Sequence, residues 1–385
     1  MLEYFDKDKR ISLYIHIPFC ISKCTYCAFY SVPHSLTDNN VKEQYFKRLI
    51  KEIEEARKYF NKPFKTIYIG GGTPLLPENL SYIKEILDVS DAKNSNEVTI
   101  ECNSDNYTEN SANVINPYIT RLSIGIQTFD NAVLHKFGRK KSEDSDIIRI
   151  LTLGKDKKIN FDFILGIPEY YTTINDIKHL FEICSKNKLK MPEHISAYLL
   201  TFEEGTPLRS IIKSLQIDEK CADELKNIWR YLESAGYEHY EVSAFAKDGD
   251  INKCEHNINY WTLGDYIGVG ASSSSHSTKS FDITYKEDYK AYAYGKIFSG
   301  YNVEKLSNKD IASELLLTHL RTTNGLDFSK FFEKTNINFK DVLERTVLNN
   351  PFDNISRFVK NNRLILNSDD LLFSDYYIRL LNDNL

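Results

Sequence analysis

Methionine and tryptophan are scarce in this 385-residue sequence, at two each, and nowhere does it carry an apolar run long enough to span a bilayer. That last absence excludes a membrane-spanning helix. A dominant charge is also missing: 49 Lys and Arg face 54 Asp and Glu, for a net charge of -5. A chain so balanced presents no polyanion-binding surface, and nucleic acid is not expected among its partners. The opening residues, Met1 to Arg10, mix both charges without the apolar core of a secretory signal, which predicts a cytoplasmic location. The cysteines number seven. An odd count, with three crowded together near the start, suits reduced thiolates on a metal better than a disulfide framework.

What is present is the make-up of a globular chain, 42% hydrophobic and 27% charged, long enough for one large domain and a smaller one. Short β-branched and aromatic runs at 12–17, 65–70, 97–101, 120–126, 160–165 and 194–200 read as strands. Charged amphipathic stretches separate them, such as 39–60, where Tyr45, Leu49, Ile53 and Ala56 share one helical face. This alternation predicts an α/β fold with a parallel sheet and helices outside it. Six units rather than eight fit a partial (β/α)6 TIM-like barrel, with ligands gathered at the C-terminal ends of the strands. Residues 1–215 are expected to form that barrel. Residues 216–299 form an extension with a helix near 216–234, a strand at 238–245 and a flexible Ser-rich loop at 271–277; residues 300–385 form a smaller, mostly helical C-terminal domain.

The segment Cys20-Ile-Ser-Lys-Cys24-Thr-Tyr-Cys27 spaces three thiolates so that one short loop can wrap around an iron–sulfur cube and ligate three of its irons. With no fourth cysteine at hand, either a distant ligand completes the site or one iron stays open for a small molecule. A zinc site or three unrelated buried thiols are the alternatives, although zinc normally takes four ligands. An open iron can chelate the amino and carboxylate groups of S-adenosylmethionine (SAM), and a reduced [4Fe–4S] cluster can cleave its sulfonium to a 5′-deoxyadenosyl radical.

Tyr14-Ile-His-Ile-Pro-Phe-Cys20 followed by CxxxCxxC is similar to the radical SAM family of oxygen-independent coproporphyrinogen III oxidases and their relatives. Gly70-Gly-Gly-Thr-Pro74, Arg121-Leu-Ser-Ile-Gly-Ile-Gln127, Asp162-Phe-Ile-Leu-Gly-Ile-Pro168, His194-Ile-Ser-Ala-Tyr198 and His256-Asn-Ile-Asn-Tyr-Trp261 follow in that family's order, so the resemblance spans roughly 11–280. It implies a partial (β/α)6 barrel. It also implies that Gly71, Gly72 and Thr73 lie along the methionyl end of SAM, that Gln127 and Arg139 contact nucleoside or carboxylate, and that Tyr14 and Tyr26 stand beside cluster and SAM. Glu101 could accept both ribose hydroxyls, with Asp162 a second acidic contact. The plainer alternatives are a tight turn for the glycines, packed aromatics for the tyrosines and a solvated helix residue for Arg139. His16 reads as a buried, hydrogen-bonded histidine rather than an iron ligand.

Departures from the family pattern bear on substrate. The porphyrinogen dehydrogenases carry a fourth cysteine in CxxxCxxCxC, where this chain has Ala28 and Phe29. The chain therefore resembles the HemW-type heme chaperones more closely, although Ala28 departs from their usual aspartate. In the HNxxYW segment, His256 could ligate heme iron, as could Cys254, with Tyr260 and Trp261 stacking on a porphyrin; alternatively His256 and Trp261 pack the end of the barrel. Ser272 to Ser275 and His276 replace a shorter GPGAHS-like run. The expected function is a heme chaperone that delivers heme to a client and draws on an electron donor. The other readings are an enzyme cleaving SAM to act on a porphyrinogen or another substrate, and a scaffold in which the cluster only stabilises the fold. Cys102, Cys184 and Cys221 read as small buried hydrophobes.

Overall fold

The β-branched runs form six parallel strands: β1 (Ser12–Ile17), β2 (Thr66–Gly71), β3 (Glu97–Asn103), β4 (Arg121–Gln127), β5 (Lys158–Leu165) and β6 (His194–Leu199). The computed structural model describes residues 1–167, 170, 173–201, 203–208 and 219–385; Pro168 of the fifth motif lies outside the described residues. Side chains alternate across these strands, up to the register shift before Gln127 in β4. Leu13, Ile15, Ile67, Ile69, Val98, Ile100, Leu122, Ile124, Ile159, Phe161 and Ile195 are buried beneath the helices. The opposite face carries Tyr14, His16, Tyr68, Glu101, Ser123, Asn160, Asp162 and His194, paired inside the barrel as Tyr14 with His16, Tyr68 with Glu101, Ser123 with Asp162 and Asn160 with His194.

Helices α1 (Asn39–Tyr59), α2 (Leu80–Val89), α3 (Glu109–Ile115), α4 (Asn131–Phe137), α5 (Asp144–Leu153) and α6 (Thr173–Lys186) fill the crossovers. Short polar side chains start them: Asp38 accepts from the amides of Asn40 and Val41, and Thr108 and Ser111 form a capping box on α3. Tyr45, Leu49, Ile53 and Ala56 of α1 are all buried, as their helical spacing predicts.

The sheet extends beyond the six strands on both sides. Past α7 (Glu219–Ser234), whose expected residues 216–218 lie outside the described ones, comes a hairpin of β7 (Tyr237–Glu241) and β8 (Ala244–Lys247) that pairs antiparallel to β6. The single strand expected at 238–245 is thus two, because Val242 and Ser243 turn the chain back. After α8 (Glu255–Trp261), β9 (Tyr266–Val269) runs parallel to β1 and is followed by the antiparallel strands β10 (Ser274–Ser277), β11 (Phe281–Tyr285) and β12 (Tyr301–Lys305), with α9 (Tyr289–Tyr294) between the last two. The flexible loop expected at 271–277 is largely a strand. Ser273, Ser275 and Ser277 are buried and bonded, Ser275 Oγ accepting from the Gly268 amide at 3.0 Å and Ser277 Oγ donating to Tyr4 O at 2.6 Å, while Ser272 and Ser274 are exposed.

The resulting twelve-stranded sheet, β12-β11-β10-β9-β1-β2-β3-β4-β5-β6-β8-β7, takes in strands of the extension from Tyr237 onward and ends at Lys305. Beyond it, α10 (Asn308–His319), α11 (Phe328–Thr335), α12 (Phe339–Asn349), α13 (Ser368–Leu371) and α14 (Ser374–Asn382) pack with a small three-stranded sheet. Among the described residues no helix is long and apolar enough to cross a membrane.

A buried ion pair fastens the extension to the barrel. Arg48 and Glu52, one helical turn apart on α1, are almost wholly inaccessible and bond at 2.9 Å. The Arg48 guanidinium also donates to Tyr292 O and Ser299 O at 2.7 and 2.8 Å. Glu52 accepts from the hydroxyls of Tyr292 and Tyr301 and from the Phe298 amide. With every polar atom partnered, burial of the pair is tolerated; removing one member leaves a bare charge. Glu52→Ala is expected to destabilise the fold by about 3–5 kcal/mol, read as a lower midpoint in urea unfolding followed by far-UV circular dichroism.

Candidate functional site

The three cysteines lie just past the C-terminal end of β1, on a loop whose base is clamped. Phe19 and Cys20 pair with Val32 and Pro33, and the Val32 amide donates to Pro18 O at 2.7 Å. On its far side the loop is tied to the end of α4. The Thr25 amide donates to Phe137 O, Thr25 Oγ1 to Lys136 O and Ser22 Oγ to Gly138 O. Gly138, at φ 69°, supplies the left-handed residue that ends α4 and turns the chain toward Arg139. Cys20, Cys24 and Cys27 are partly exposed and carry no disulfide. Burial raises the pKa of the Cys20 thiol, opposed by the neighbouring Thr73 hydroxyl. Burial likewise raises Cys27, opposed by the Phe29 amide. Hydroxyl and amide donors aimed at sulfur favour thiolate, so the donor set fits a metal cluster.

The Gly-Gly-Gly-Thr-Pro turn at the end of β2 packs against this loop. A Cβ on Gly72 would come within 2.8 Å of backbone atoms of Pro18 and Phe19, and one on Gly71, at φ +108°, would strike the His16 ring. The amides expected to face a ligand are already engaged: Gly71 N donates to Glu101 Oε2 at 3.2 Å, Gly72 N to Ile17 O and Thr73 N to Phe19 O, both at 2.8 Å. The glycines therefore let two pieces of main chain touch, and a ligand would meet the turn through its remaining acceptors.

Glu101 stands inside the barrel with each oxygen already accepting one bond, from Tyr68 Oη at 2.7 Å and from Gly71 N. A carboxylate has about four acceptor positions, so both oxygens remain able to take a sugar hydroxyl. Burial holds its pKa above the ordinary range, against the Tyr68 hydrogen bond. Asp162 is raised by burial as well; it accepts from Asn160 Nδ2 at 2.8 Å and Ser123 Oγ at 3.2 Å.

Arg139 joins the cluster loop to the barrel rim. Nη2 donates to Asn103 Oδ1 and Gly125 O, both at 2.8 Å, while Nη1 reaches Tyr26 Oη at 3.3 Å and lies 3.9 Å from Cys24 Sγ. Burial works against its charge, and Tyr26 and Cys24 outweigh that, so its pKa rises. Tyr26 also packs on Phe137, with ring centroids 4.7 Å apart. Gln127 follows a register shift in β4 and takes φ 73°, an uncommon conformation for a non-glycine residue, bringing Nε2 within 2.8 Å of a Cβ built on Gly125. Thus Cys24, Tyr26, Gly125, Gln127 and Arg139 converge on one rim.

His16 Nε2 donates to Tyr30 O at 2.8 Å, which leaves Nδ1 to accept from the Tyr14 hydroxyl at 3.0 Å. His16 is thus a buried, saturated histidine, its pKa pushed down to about 4 by burial. Tyr14 also lines a cavity of about 320 Å³ with Ala28, Phe29, Tyr30, Tyr260 and Tyr266, alongside the cysteine loop. Tyr260 and Tyr266 face it edge to face, with centroids 4.6 Å apart. The sequence reading singled out Tyr260 but missed Tyr30, Tyr68 and Tyr266, whose only signal is their place on inward-facing strand or loop positions.

His256 is not brought to the cysteines. It lies at the opposite end of the strands, its Nδ1 2.7 Å from Thr66 Oγ1 and its Nε2 2.7 Å from Tyr260 Oη. Five residues of β2 separate Thr66 from Gly71, about 16 Å at the usual rise. The ring is fully buried, and burial pushes its pKa down to about 3. Cys254 is equally buried, 3.5 Å from Glu97 Oε1, and Glu97 also accepts from the amides of Glu255 and His256 at the start of α8. The HNxxYW segment therefore packs into the floor of the barrel, with both ring nitrogens of His256 bonded and the Cys254 thiol buried beside Glu97.

The Radical SAM superfamily matches residues 14–182, and the HemN C-terminal domain matches residues 306–374. The solved coproporphyrinogen III oxidase of Escherichia coli, a radical SAM enzyme, has the same fold, with TM-score 0.79, 18% identity, and coverage of 100% of this chain and 93% of that one. The fold and the three-cysteine mouth thus define a radical SAM protein, a class that implies a [4Fe–4S] cluster and SAM. Two curated relatives narrow the class. A heme chaperone HemW of Buchnera aphidicola is 32% identical over 384 residues, covering 95% of this chain and 98% of the relative. The Haemophilus influenzae heme chaperone HemW is 28% identical, covering 97% and 96%. The chain belongs to the HemW family of radical SAM proteins.

Two substitutions separate the ends of the barrel. Arg139→Ala removes charge-assisted bonds worth about 1.5–3 kcal/mol each and is expected to shorten cluster retention roughly tenfold, followed as iron and sulfide content over time after anaerobic reconstitution. His256→Ala is expected to lower stability by about 1–3 kcal/mol in urea unfolding, while leaving heme titration within about twofold of the parent because the ring is buried among Thr66, Tyr68 and Tyr260.

Proposed function

We propose that this chain is a heme chaperone whose cluster loop and barrel mouth together receive heme and pass it to a client protein. The arrangement that carries the reading is the loop itself: three free thiols with no fourth, and the apolar side chains Ile21 and Phe29 exposed at 48% and 69% beside them. End-to-end likeness to proteins named heme chaperones supports it. Cys20, Cys24 and Cys27 would hold the [4Fe–4S] cluster. Tyr14, Tyr26, Gly71, Gly72, Thr73, Glu101, Gln127, Arg139 and Asp162 would surround SAM, Glu101 accepting ribose hydroxyls and Arg139 holding the loop in place. When bound, the cluster supplies the electron that cleaves SAM reductively. An electron donor, a heme-accepting client, a cytoplasmic location and a division into 1–215, 216–299 and 300–385 belong to the same reading.

The enzymatic reading keeps one observation in its favour: the lumen is polar, with Glu101 and Asp162 facing inward, as a chamber for a reacting substrate would be. Anaerobic incubation with SAM and reductant distinguishes the two. Release of 5′-deoxyadenosine above a Cys24→Ala control supports turnover, and no excess removes it.

Heme titration followed by the Soret band tests the chaperone reading. Burying an aromatic side chain contributes about 1.5–3 kcal/mol, so Phe29→Ser is expected to weaken heme binding roughly tenfold or more with iron content of the cluster unchanged. A parent protein whose Soret band does not respond to added heme would sink the proposal.

A further inference from the structure

We propose that His276, Asp282 and Glu314 form a binding site for a divalent first-row metal ion, which staples the end of the sheet to the C-terminal helices. The three side chains come from β10, β11 and α10, so the site bridges two hairpin strands and the first helix beyond the sheet. His276 and Asp282 are directly opposed across the antiparallel pair, which aims both side chains to one face. His276 Nδ1 lies 2.8 Å from Asp282 Oδ1 and 3.7 Å from Glu314 Oε2. One ligand atom from each residue falls within 4.8 Å of the others. A metal holding its ligands at 2.0–2.1 Å in a tetrahedron separates them by about 3.3 Å, midway between the two distances observed.

An independent observation points into the same spot. Glu314 Oε2 is buried and accepts no hydrogen bond. A buried carboxylate oxygen without a donor is costly, and here it faces another carboxylate. Burial, then Asp282, pushes the Glu314 pKa up to about 8, and Asp310 and Glu304 add to the negative field. Such a pair calls for a proton or a cation between its members. Binding would expel that proton and displace the Nδ1–H that His276 donates to Asp282, leaving a neutral imidazole with its proton on Nε2 and its Nδ1 lone pair on the ion. One imidazole with two carboxylates suits Mn²⁺, Fe²⁺ or Zn²⁺ better than Mg²⁺ or Ca²⁺, which prefer all-oxygen shells. Partial exposure of Asp282 and Glu314, 30% and 25%, gives an ion access and leaves room for water as the remaining ligand.

The test uses the full-length protein with its cluster reconstituted and oxidised, so that the cysteines are occupied and the cluster is silent in EPR. Mn²⁺ is titrated and the free aqua-ion signal measured, with Zn²⁺ as competitor. One Mn²⁺ per chain, displaced by Zn²⁺ and weakened at least tenfold in both Asp282→Asn and Glu314→Gln with iron content unchanged, supports the site. Parent protein that removes neither ion from solution overturns it, whether or not the variants fold. Binding that is equal in parent and Glu314→Gln places the ion elsewhere and overturns it as well.

Discussion

A polar lumen governs this structure. Parallel strands covered by helices usually read as continuous hydrophobic runs, because both faces are packed in apolar surroundings. Here the strands alternate, and the inward positions carry His16, Glu101, Arg121, Asp162 and His194. Each must find its partners within the barrel, since an unpaired polar group there carries the full desolvation penalty. The chain meets that demand with bonds that cross from strand to strand: Tyr68 to Glu101, Ser123 to Asp162, and Asn160 to His194 at 2.6 Å. The buried Arg121 guanidinium reaches toward His194 at 3.4 Å, with Glu97 supplying opposite charge nearby. The lumen is thereby a pre-ordered polar chamber, unlike a barrel filled with aliphatic layers.

That constraint separates the two ends of the barrel. At the floor, α8 closes the chamber, and its first amides are satisfied by Glu97 while His256 ties Thr66 to Tyr260. At the mouth, the cysteine loop is clamped on both sides and joined to the rim by Arg139. A rigid floor and a braced loop are what a cluster with an exposed, reactive face needs, since loose ligands would let water and oxygen in. The extension serves the same end from outside: Arg48 and Glu52 lock residues 292–301 to α1, whose Tyr45 hydroxyl bonds His16 O directly beneath the loop.

Much of the barrel was legible along the chain. The six strands fall within a residue or two of the stretches marked by β-branched and aromatic residues, because local alternation and turn chemistry specify them. The extension was less legible. Residues 271–277 read as a flexible loop because serine is a poor strand former, yet partners at 281–285 and bonds from Ser275 and Ser277 hold much of that run in the sheet. The hairpin at 237–247 read as one strand because its turn, Val242-Ser243, lacks glycine or proline.

By itself the sequence determined the chemistry that depends on spacing: three thiols close enough for one cluster, a glycine turn at the end of the second strand, and acids within the third and fifth. Those follow from neighbours along the chain, where a few residues set the distance. The tertiary structure alone decided which way the polar side chains face and what they meet. A histidine followed by asparagine, tyrosine and tryptophan carries the same letters whether it ligates iron or seals a floor. Only the packing of α8 against β2 and β3 buries His256 with both nitrogens bonded, and only the pairing of β10 with β11 beneath α10 sets His276, Asp282 and Glu314 face to face.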